Sequence, residues 1–411
     1  MRRHDSYHRS IFAIPLLALA LNAISTIGCA GSSVEEASSG DDSLRAAAGE
    51  AGPITASELG GSLDRAHLRA TNPDLDDTAF QLKWAAAKKD ALSFFRSFDA
   101  AYHADLAGVP VARVPGKETL CAGDAHQENF GFMKLPSGTR FAVNDFDDAG
   151  YCPAAFDAAR FFAAISLGYG DDALTKQVLE RYVDTLKDAS KAKTIDSDLA
   201  PSWKKKHEKG LSKYTKNGAF VLDDETKLSA PDSADRAAVV AAVSSDSRLG
   251  GATVRDVADY ERVNGGSGGL RRIWVLADVS STRTILELKE LTSPGVTWGR
   301  HTRTLEPSAR FDTLKRTFWG DADPGDVFTV SLLGETFMLR DRLVRDAPDL
   351  GDLSAGDRSK VLEVEASQLA ILHTSAFSEV KKDALRTWLS GTAQTLATRW
   401  KKAWSAARSG P

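Results

Sequence analysis

The sequence has little cysteine and no excess of basic residues. It contains three cysteines in 411 residues, which are too few for a disulfide scaffold. Its 52 Lys and Arg residues are outnumbered by 56 Asp and Glu residues, so the net charge of −4 offers no general attraction for nucleic acid. The composition, 42% hydrophobic and 26% charged, excludes collagen-like, wholly disordered and multi-span membrane proteins. A globular protein of this length is expected to divide into two lobes or domains.

The N-terminal residues have the layout of an export signal. Three arginines in the first ten residues precede an apolar run, Ile11–Ile24, that is too short to span a bilayer comfortably. The segment Thr26-Ile27-Gly28-Cys29 resembles a bacterial lipobox, in which the cysteine becomes lipidated. We therefore predict a lipoprotein signal over residues 1–28 and an exported protein, anchored to a membrane on the periplasmic side through Cys29. An ordinary signal peptide cleaved nearby is the alternative.

The two remaining cysteines, Cys121 and Cys152, allow two interpretations. Outside the cytoplasm they can pair, because disulfides persist in oxidising compartments. Two buried free thiols are equally compatible with the sequence, and both possibilities stay open here.

The hydrophobic pattern predicts segregated helical and strand regions. Residues 29–60, rich in Ser, Gly, Ala and acidic residues, are predicted to be a flexible tether. Apolar residues recur at helical spacing in five segments: 82–106, 154–167, 174–186, 358–376 and 380–407. Strand-like segments form a hairpin, 129–135 and 140–144 with a turn at 136–138, and a later group, 271–279, 284–291, 327–333 and 336–340. Residues 196–232, which are Lys-rich and broken by Gly and Pro, are expected to be irregular.

This order of elements is typical of an α+β fold. We predict a helical lobe over residues 61–250, a small antiparallel-sheet lobe over 251–345, and C-terminal helices over 346–411.

A loop with an aspartate and an asparagine precedes a second acidic cluster. The segment 123–129 reads GDAHQEN and places Asn129 five residues after Asp124. After the predicted hairpin, residues 144–148 read NDFDD and include Asp145. In kinase-type phosphoryl transfer an Asp accepts the proton of the attacking hydroxyl, while an Asn and a separate Asp hold Mg²⁺ on the phosphates. The loop, hairpin and second cluster meet these requirements.

A Gly-rich turn and a lysine form the second half of the pattern. The turn contains Gly265, Gly266, Ser267 and Gly268, and Lys289 lies in the second of the two predicted strands that follow it. Glycines let backbone N–H groups approach phosphates closely, and a lysine on a neighbouring strand can pair with phosphate oxygens. Together with the acidic loop, these residues predict a nucleotide site.

These motifs also carry a family resemblance. The segments CAGDAHQENFG, VNDFDDAGYCPAAFDAARF, GGSGGLRR, LELKE and LAILHTSA resemble the bacterial family called domain of unknown function 2252, over about residues 80–380. That family is grouped with the protein-kinase-like and aminoglycoside phosphotransferase fold. The resemblance therefore implies a two-lobed kinase-like fold. Because the acidic loop here precedes the Gly-rich turn, the fold would be circularly permuted.

The resemblance implies a role for each matched residue. Asp124 corresponds to the catalytic base, and Asn129 and Asp145 correspond to the Mg²⁺ ligands. Lys289 corresponds to the phosphate-binding lysine, with Glu306 as its candidate ion-pair partner. The side chains that would support the site are Asp157, as the buried aspartate that braces the catalytic loop, and His126, which contacts phosphate or metal or else stabilises the loop by a hydrogen bond. Asp147 and Asp148 are expected to be solvated acids at the end of the hairpin, with binding of a second metal as the alternative.

The expected function is Mg²⁺-dependent phosphoryl transfer from ATP or another nucleotide to a hydroxyl of a small molecule or envelope component. No nucleic-acid partner is expected. Two alternatives remain open: a metal-dependent phosphohydrolase, and a catalytically inactive, kinase-like binding lipoprotein. The acceptor, the donor nucleotide and the oligomeric state do not follow from the sequence.

Overall fold

Helices and antiparallel strands make up the mixed α+β architecture that the sequence predicts, with 49% of the described residues helical and 19% in strands. The computed structural model describes residues 52–135, 138–301, 303–305, 307–320 and 327–410. The predicted signal, Cys29 and Glu306 lie outside the described residues. Within these ranges, every helix is too short or too polar to cross a membrane.

The helices cluster mainly before the Gly-rich turn and at the C-terminus. They are α1 (Arg65–Ala70), α2 (Asp77–Ala87), α3 (Ala91–Ser97), α4 (Asp99–Leu106), α5 (Ala154–Tyr169), α6 (Asp172–Lys187), α7 (Trp203–Tyr214), α8 (Ser233–Ser245), α9 (Pro307–Trp319), α10 (Ala355–His373) and α11 (Lys382–Ser409). The C-terminal helices pack on the helices that follow the hairpin, α10 on α6 and α11 on both α5 and α6. Twelve of the sixteen residues of α5 are buried, so this helix forms the centre of the helical core.

The strands form one large sheet and three small ones. They are β1 (Glu118–Cys121), β2 (Phe130–Leu135), β3 (Gly138–Val143), β4 (Gly150–Pro153), β5 (Thr215–Lys216), β6 (Ala219–Phe220), β7 (Leu228–Ser229), β8 (Thr253–Tyr260), β9 (Arg272–Val279), β10 (Thr282–Glu290), β11 (Val327–Leu332), β12 (Glu335–Asp341) and β13 (Arg345–Asp346). The large sheet is antiparallel with the order β11-β12-β10-β9-β8-β7. The small sheets are β13-β2-β3, β1-β4 and β5-β6.

The register of β10 divides its side chains between two environments. Leu286 and Leu288 belong to the apolar core beneath α8, whereas Ile285 belongs to a separate cluster around Trp274. Because side chains alternate between the faces of a strand, Lys289 shares the face of Ile285. The sheet thereby carries Lys289 on the face opposite to its α8 core.

A disulfide between Cys121 and Cys152 links β1 to β4, with Cα atoms 6.0 Å apart. β1 leads into the predicted catalytic loop, and β4 leads directly into α5. The structure therefore resolves the two interpretations of these cysteines in favour of pairing.

The structure differs from the sequence prediction at several elements. The helix expected over 82–106 is three helices, because the Asp90 side chain accepts a hydrogen bond from the Ser93 N–H (2.7 Å) and starts a new helix, and Phe98 leaves helical geometry. The segment expected to be irregular, 196–232, contains α7 and short strands. The strand β8 was not predicted.

Candidate functional site

A buried aspartate on α5 holds the backbone where the predicted catalytic loop begins. The Asp157 carboxylate accepts hydrogen bonds from the N–H groups of Ala122 (2.9 Å) and Gly123 (3.0 Å), and His373 Nε2 lies 3.1 Å from the same carboxylate. Gly123 has a φ of +78°, and a Cβ at this position would collide with the carbonyl oxygen of Asp148. Glycine is therefore required at the start of the loop.

Asp124 is buried between the side chains of Arg160 and His126. Arg160 Nε donates a hydrogen bond to Asp124 Oδ1 (3.0 Å), Arg160 Nη2 donates a second one, and His126 Nε2 lies 3.3 Å from Oδ2. Burial by itself would raise the pKa of Asp124, but the charge of Arg160, helped by His126, outweighs it and lowers the pKa. Asp124 is therefore a carboxylate anion in a fixed orientation.

His126 is a buried junction between the loop and α3. Its Nδ1 accepts a hydrogen bond from the N–H of Glu128 (3.0 Å), and its Nε2 lies 3.1 Å from Arg96 Nε. Burial and the charge of Arg96 lower the pKa of His126. These contacts are those of a residue that stabilises the loop, which is one of the two roles that the sequence suggests for His126.

Asn129 joins the loop to the hairpin. Its Nδ2 donates a hydrogen bond to the backbone carbonyl of Asp124 (2.8 Å), and its own carbonyl accepts one from the N–H of Asn144 (3.0 Å). The amide is thereby oriented, with Oδ1 as its oxygen for ligating a cation.

Lys289 meets the acidic cluster across 144 positions of sequence. Its Nζ lies 2.6 Å from Asp147 Oδ2 and 3.3 Å from Asp145 Oδ1, and the side chain is fully buried. Asp147 is thus not the solvated acid that the sequence predicts but the nearest partner of the lysine. Asp148 is likewise only partly exposed, and it accepts a hydrogen bond from the N–H of Gly295 (2.9 Å).

The carboxylates of the acidic cluster differ in their affinity for protons. For Asp145, burial would raise the pKa, but Lys289 and Arg340 outweigh burial and hold the pKa well below its usual range. For Asp147, burial and the neighbouring charge of Asp145 raise the pKa. Burial, together with the charges of Asp147 and Asp124, raises the pKa of Asp148 to about 7. Only part of this cluster therefore carries negative charge at neutral pH.

A buried glutamate organises the sheet side of the site. Glu287, two residues before Lys289 on β10, contacts the guanidinium groups of Arg272 (3.1 Å), Arg340 (2.8 Å) and Arg342 (2.7 Å). Burial would raise the pKa of Glu287, but these arginines, led by Arg342, hold it well below its usual range. The arginines thus balance the negative charge of Glu287, and Lys289 pairs with Asp145 and Asp147 instead.

The Gly-rich turn folds down onto the acidic residues. The carbonyl of Gly266 accepts a hydrogen bond from the buried Lys83 of α2, and the hydroxyl of Ser267 accepts one from Arg272 (2.7 Å). A Cβ on Gly266 would lie 3.3 Å from Asp148 Oδ2 and 3.6 Å from Asp124 Oδ2. Gly266 therefore lets the backbone lie against both carboxylates.

The predicted residues surround one small cavity. Its volume is about 20 Å³, enough for about one water molecule. The predicted residues that line it are Asp124, His126, Asn129, Asp145, Gly265, Gly266, Ser267 and Lys289. Gly268 and Asp157 do not line it; Gly268 N–H donates to the carbonyl of Gly265 (3.0 Å) within the turn.

Sequence reasoning missed the arginines and the second lysine of the site. Arg96 and Arg262 line the cavity, and Arg160 and Lys83 contact residues that line it. A signal was available for Arg160, because it is the one basic residue in the apolar stretch 154–165 and lies three positions after Asp157. No sequence pattern indicated the others.

The donor set suits Mg²⁺, which prefers oxygen ligands and usually binds through one or two carboxylates plus substrate phosphates. Asp145 and Asn129 offer such oxygens at the cavity. In the described part of the chain, one set of three His, Cys, Asp or Glu ligand atoms lies within 4.8 Å, namely Cys121, Cys152 and Asp157. Its cysteines are joined in the disulfide, so it is not a metal site.

Comparison with known proteins supports the family resemblance for part of the chain. The family model described as an uncharacterised protein conserved in bacteria (DUF2252) matches residues 75–188. This segment contains the predicted catalytic loop, the hairpin and Asp157, but the match ends before the Gly-rich turn and Lys289, so it is shorter than the expected 80–380. Searches of the curated proteins and of the solved structures found no significant match.

Proposed function

We propose that this protein is a nucleotide- and Mg²⁺-dependent phosphotransferase with a circularly permuted, two-lobed kinase-like fold. Its acceptor would be a hydroxyl of a small molecule or envelope component. The observation that carries the proposal is the meeting of Lys289, from the six-stranded sheet, with Asp124 and Asp145, from the helical region, at one cavity. A metal-bound phosphate chain requires an ammonium group and glycine N–H groups on one side and carboxylates on the other.

In the proposed reaction the acceptor oxygen forms a bond to the terminal phosphorus of the nucleotide. The bond from that phosphorus to the bridging oxygen breaks, and the nucleoside diphosphate leaves with the electron pair. Asp124 accepts the proton of the acceptor hydroxyl, oriented for this by Arg160 and His126. Lys289 pairs with phosphate oxygens. Asn129 and Asp145 would hold Mg²⁺, which supplies neutralisation of phosphate charge.

The cavity requires a rearrangement before a nucleotide binds. At about 20 Å³ it is far smaller than a ligand pocket of roughly 300 Å³ or more, and Lys289 is already paired with Asp147. Phosphate entry therefore requires Gly266 to move away from Asp124 and Asp148. It also requires Lys289 to exchange Asp147 for a phosphate oxygen, which replaces one anionic partner by another.

Equilibrium binding of ATP, with and without Mg²⁺, tests the proposal. We expect Mg²⁺ to strengthen binding, and Lys289→Ala to weaken it by tenfold or more, because it removes the ammonium partner of the phosphates. Lys134→Ala, at an exposed lysine of β2, is the matched control and should bind as the wild type does. Because Lys289 is buried, folding of each variant is verified by its thermal midpoint. Negligible binding by the wild type, or equal binding by wild type and Lys289→Ala, would refute the proposal.

A second candidate function, a kinase-like binding lipoprotein without catalysis, is favoured by the closed cavity and the occupied lysine. It predicts no phosphoryl transfer to any acceptor, even where nucleotide binds. Asp124→Asn separates the two functions. It should abolish transfer by a phosphotransferase, whereas partner binding by a lipoprotein of this kind would be unaffected.

We also propose that the chain is exported and anchored through Cys29. The supporting observation is the disulfide between Cys121 and Cys152, because structural disulfides persist in oxidising compartments outside the bacterial cytoplasm.

A further inference from the structure

A second, larger cavity lies directly behind the Gly-rich turn. Its volume is about 200 Å³, and its walls come from the segment 71–75, from α2 and α4, from the acidic turn and from the segment after β10. Asp148 and Gly266 line both this cavity and the small one. One side chain and one glycine therefore separate the larger cavity from the proposed phosphate site.

The walls of the larger cavity present mainly hydrogen-bond acceptors. The hydroxyl groups of Thr71, Ser97 and Thr297 each donate to a backbone carbonyl, at 3.1, 2.7 and 2.7 Å, so their oxygens retain lone pairs for a ligand. The carboxylates of Asp99 and Asp148 add further acceptors, and neither oxygen of the buried Asp99 has a well-aligned hydrogen bond in the structure. A ligand that satisfies these walls must bring several donors of its own.

The charges on these walls are balanced. Asp99 Oδ1 lies 2.9 Å from Arg160 Nε; burial raises the pKa of Asp99 well above its usual range, and the charge of Arg160 opposes this rise. Lys83 is buried in the wall, donates to Asn72 Oδ1 (2.8 Å) and to Gly266, and its charge opposes that of Asp148. An anionic ligand would meet the oxygens of two carboxyl groups, Asp99 and Asp148, and a cationic ligand would meet Lys83. The cavity therefore favours an uncharged ligand.

The size of the cavity and one aromatic side chain further restrict the class of ligand that the cavity can bind. A cavity of about 150 Å³ holds a molecule of the size of benzene, so about 200 Å³ holds one six-membered ring with small substituents. Trp298 lines the cavity and is 36% exposed, which offers a flat apolar surface to one face of such a ring. A ring that carries hydroxyl groups at its edge and an apolar face matches both features.

We propose that this cavity binds the acceptor, an uncharged polyhydroxylated molecule about the size of one sugar ring. Its assignment as acceptor site rests on the phosphotransferase function proposed above. The two ligands then bind on different sides of Gly266. The phosphates enter on the Lys289 side, and the acceptor enters on the Lys83 side.

Calorimetric titration of the full chain, without nucleotide or Mg²⁺, tests the cavity by itself. The probes are glucose and myo-inositol as uncharged polyols, glucosamine as a cationic analogue and glucuronate as an anionic one. We expect at least one uncharged polyol to bind with a Kd of 10 mM or lower, and both charged analogues to bind at least tenfold more weakly.

Two variants place this binding at the cavity. Ser293→Trp adds bulk at an exposed position of the cavity wall, and Trp298→Ala removes the ring surface; each should weaken polyol binding at least tenfold. Ser244→Trp, at an exposed serine of α8, is the matched control and should change the Kd by less than twofold.

The proposed polyol site would be refuted if no uncharged polyol binds, or if a charged analogue binds as well or better. It would also be refuted if Ser293→Trp and Trp298→Ala bind the polyol as the wild type does. Its failure is distinguishable from failure of the phosphotransferase, because Lys289→Ala should weaken ATP binding by tenfold or more and leave polyol binding unchanged. Polyol binding without ATP binding would refute the transferase and the acceptor role, whereas ATP binding without polyol binding would refute the cavity assignment alone.

Discussion

Replacing Arg160 by methionine should destabilise the protein, because it removes the cation that contacts two buried carboxyl groups. The guanidinium is fully buried, donates to Asp124 and lies 2.9 Å from Asp99 Oδ1. It also lies over the rings of Phe95 and Tyr102, at 4.4 and 4.7 Å from their centroids. Methionine retains an apolar stem against these rings, so the substitution removes mainly the charge and the hydrogen bonds.

The expected loss is about 3–5 kcal/mol, the usual cost of removing one partner of a buried ion pair. For a chain of this length this corresponds to a drop of roughly 4–8 °C in the thermal midpoint. Arg255→Met, which breaks an exposed ion pair with Asp278, is the matched control and should cost less than about 1 kcal/mol. The double variant Arg160→Met with Asp99→Asn should recover part of the loss, because it removes one of the two buried carboxyl groups that Arg160 contacts.

The loss should also depend on pH. In the wild type, Arg160 helps to lower the pKa of Asp124, so Asp124 contributes stability above its unfolded pKa, and that stability is lost as pH falls through the folded pKa. Without Arg160, burial raises the pKa of Asp124 in the folded state. The loss of stability caused by the substitution therefore grows as the pH rises through that pKa. Thermal scans at pH 5 and pH 8 should therefore show the larger difference from wild type at pH 8. A pH-independent loss, or one no larger than that of Arg255→Met, would refute this account of the buried pair.

Two further predictions concern the acidic turn and the N-terminus. The folded pKa of Asp148, raised to about 7, exceeds its unfolded value, so the folded state holds the proton more tightly and stability falls as pH rises from about 4 to 7. The variant Asp148→Asn can keep the hydrogen bond from the N–H of Gly295. It should therefore be more stable than the wild type by roughly 1–3 kcal/mol at pH 8 and equally stable near pH 4. Thermal scans that show the same stabilisation at both pH values would contradict this prediction. Cys29→Ser should move the protein from the membrane fraction to another fraction of fractionated cells, and an unchanged membrane-bound fraction would exclude anchoring through Cys29.

The elements that the sequence predicts well have strong and regular hydrophobic patterns. The helices α5, α6, α10 and α11 and the strands β9, β10, β11 and β12 each bury several apolar residues at the expected period. The missed elements have weak patterns. In β8 a bulge between Val254 and Asp256 interrupts the alternation, and α7 has no fully buried residue. Their conformations depend on neighbours that the local sequence does not reveal.

For the site, the sequence alone singled out Asp124, Asn129, Asp145, Lys289 and the Gly-rich turn as candidates, because the proposed phosphate chemistry would require particular residue types at short and recognisable spacings. Tertiary structure alone decided which charges face one another. It placed Arg160 on Asp124, Lys83 on Gly266, and Asp147 nearest Lys289. Electrostatic partners act through space, so residues 144 or 183 positions apart become neighbours only when helices and sheet pack. The same packing decides the size of the cavities, and hence what must move before a phosphate chain enters.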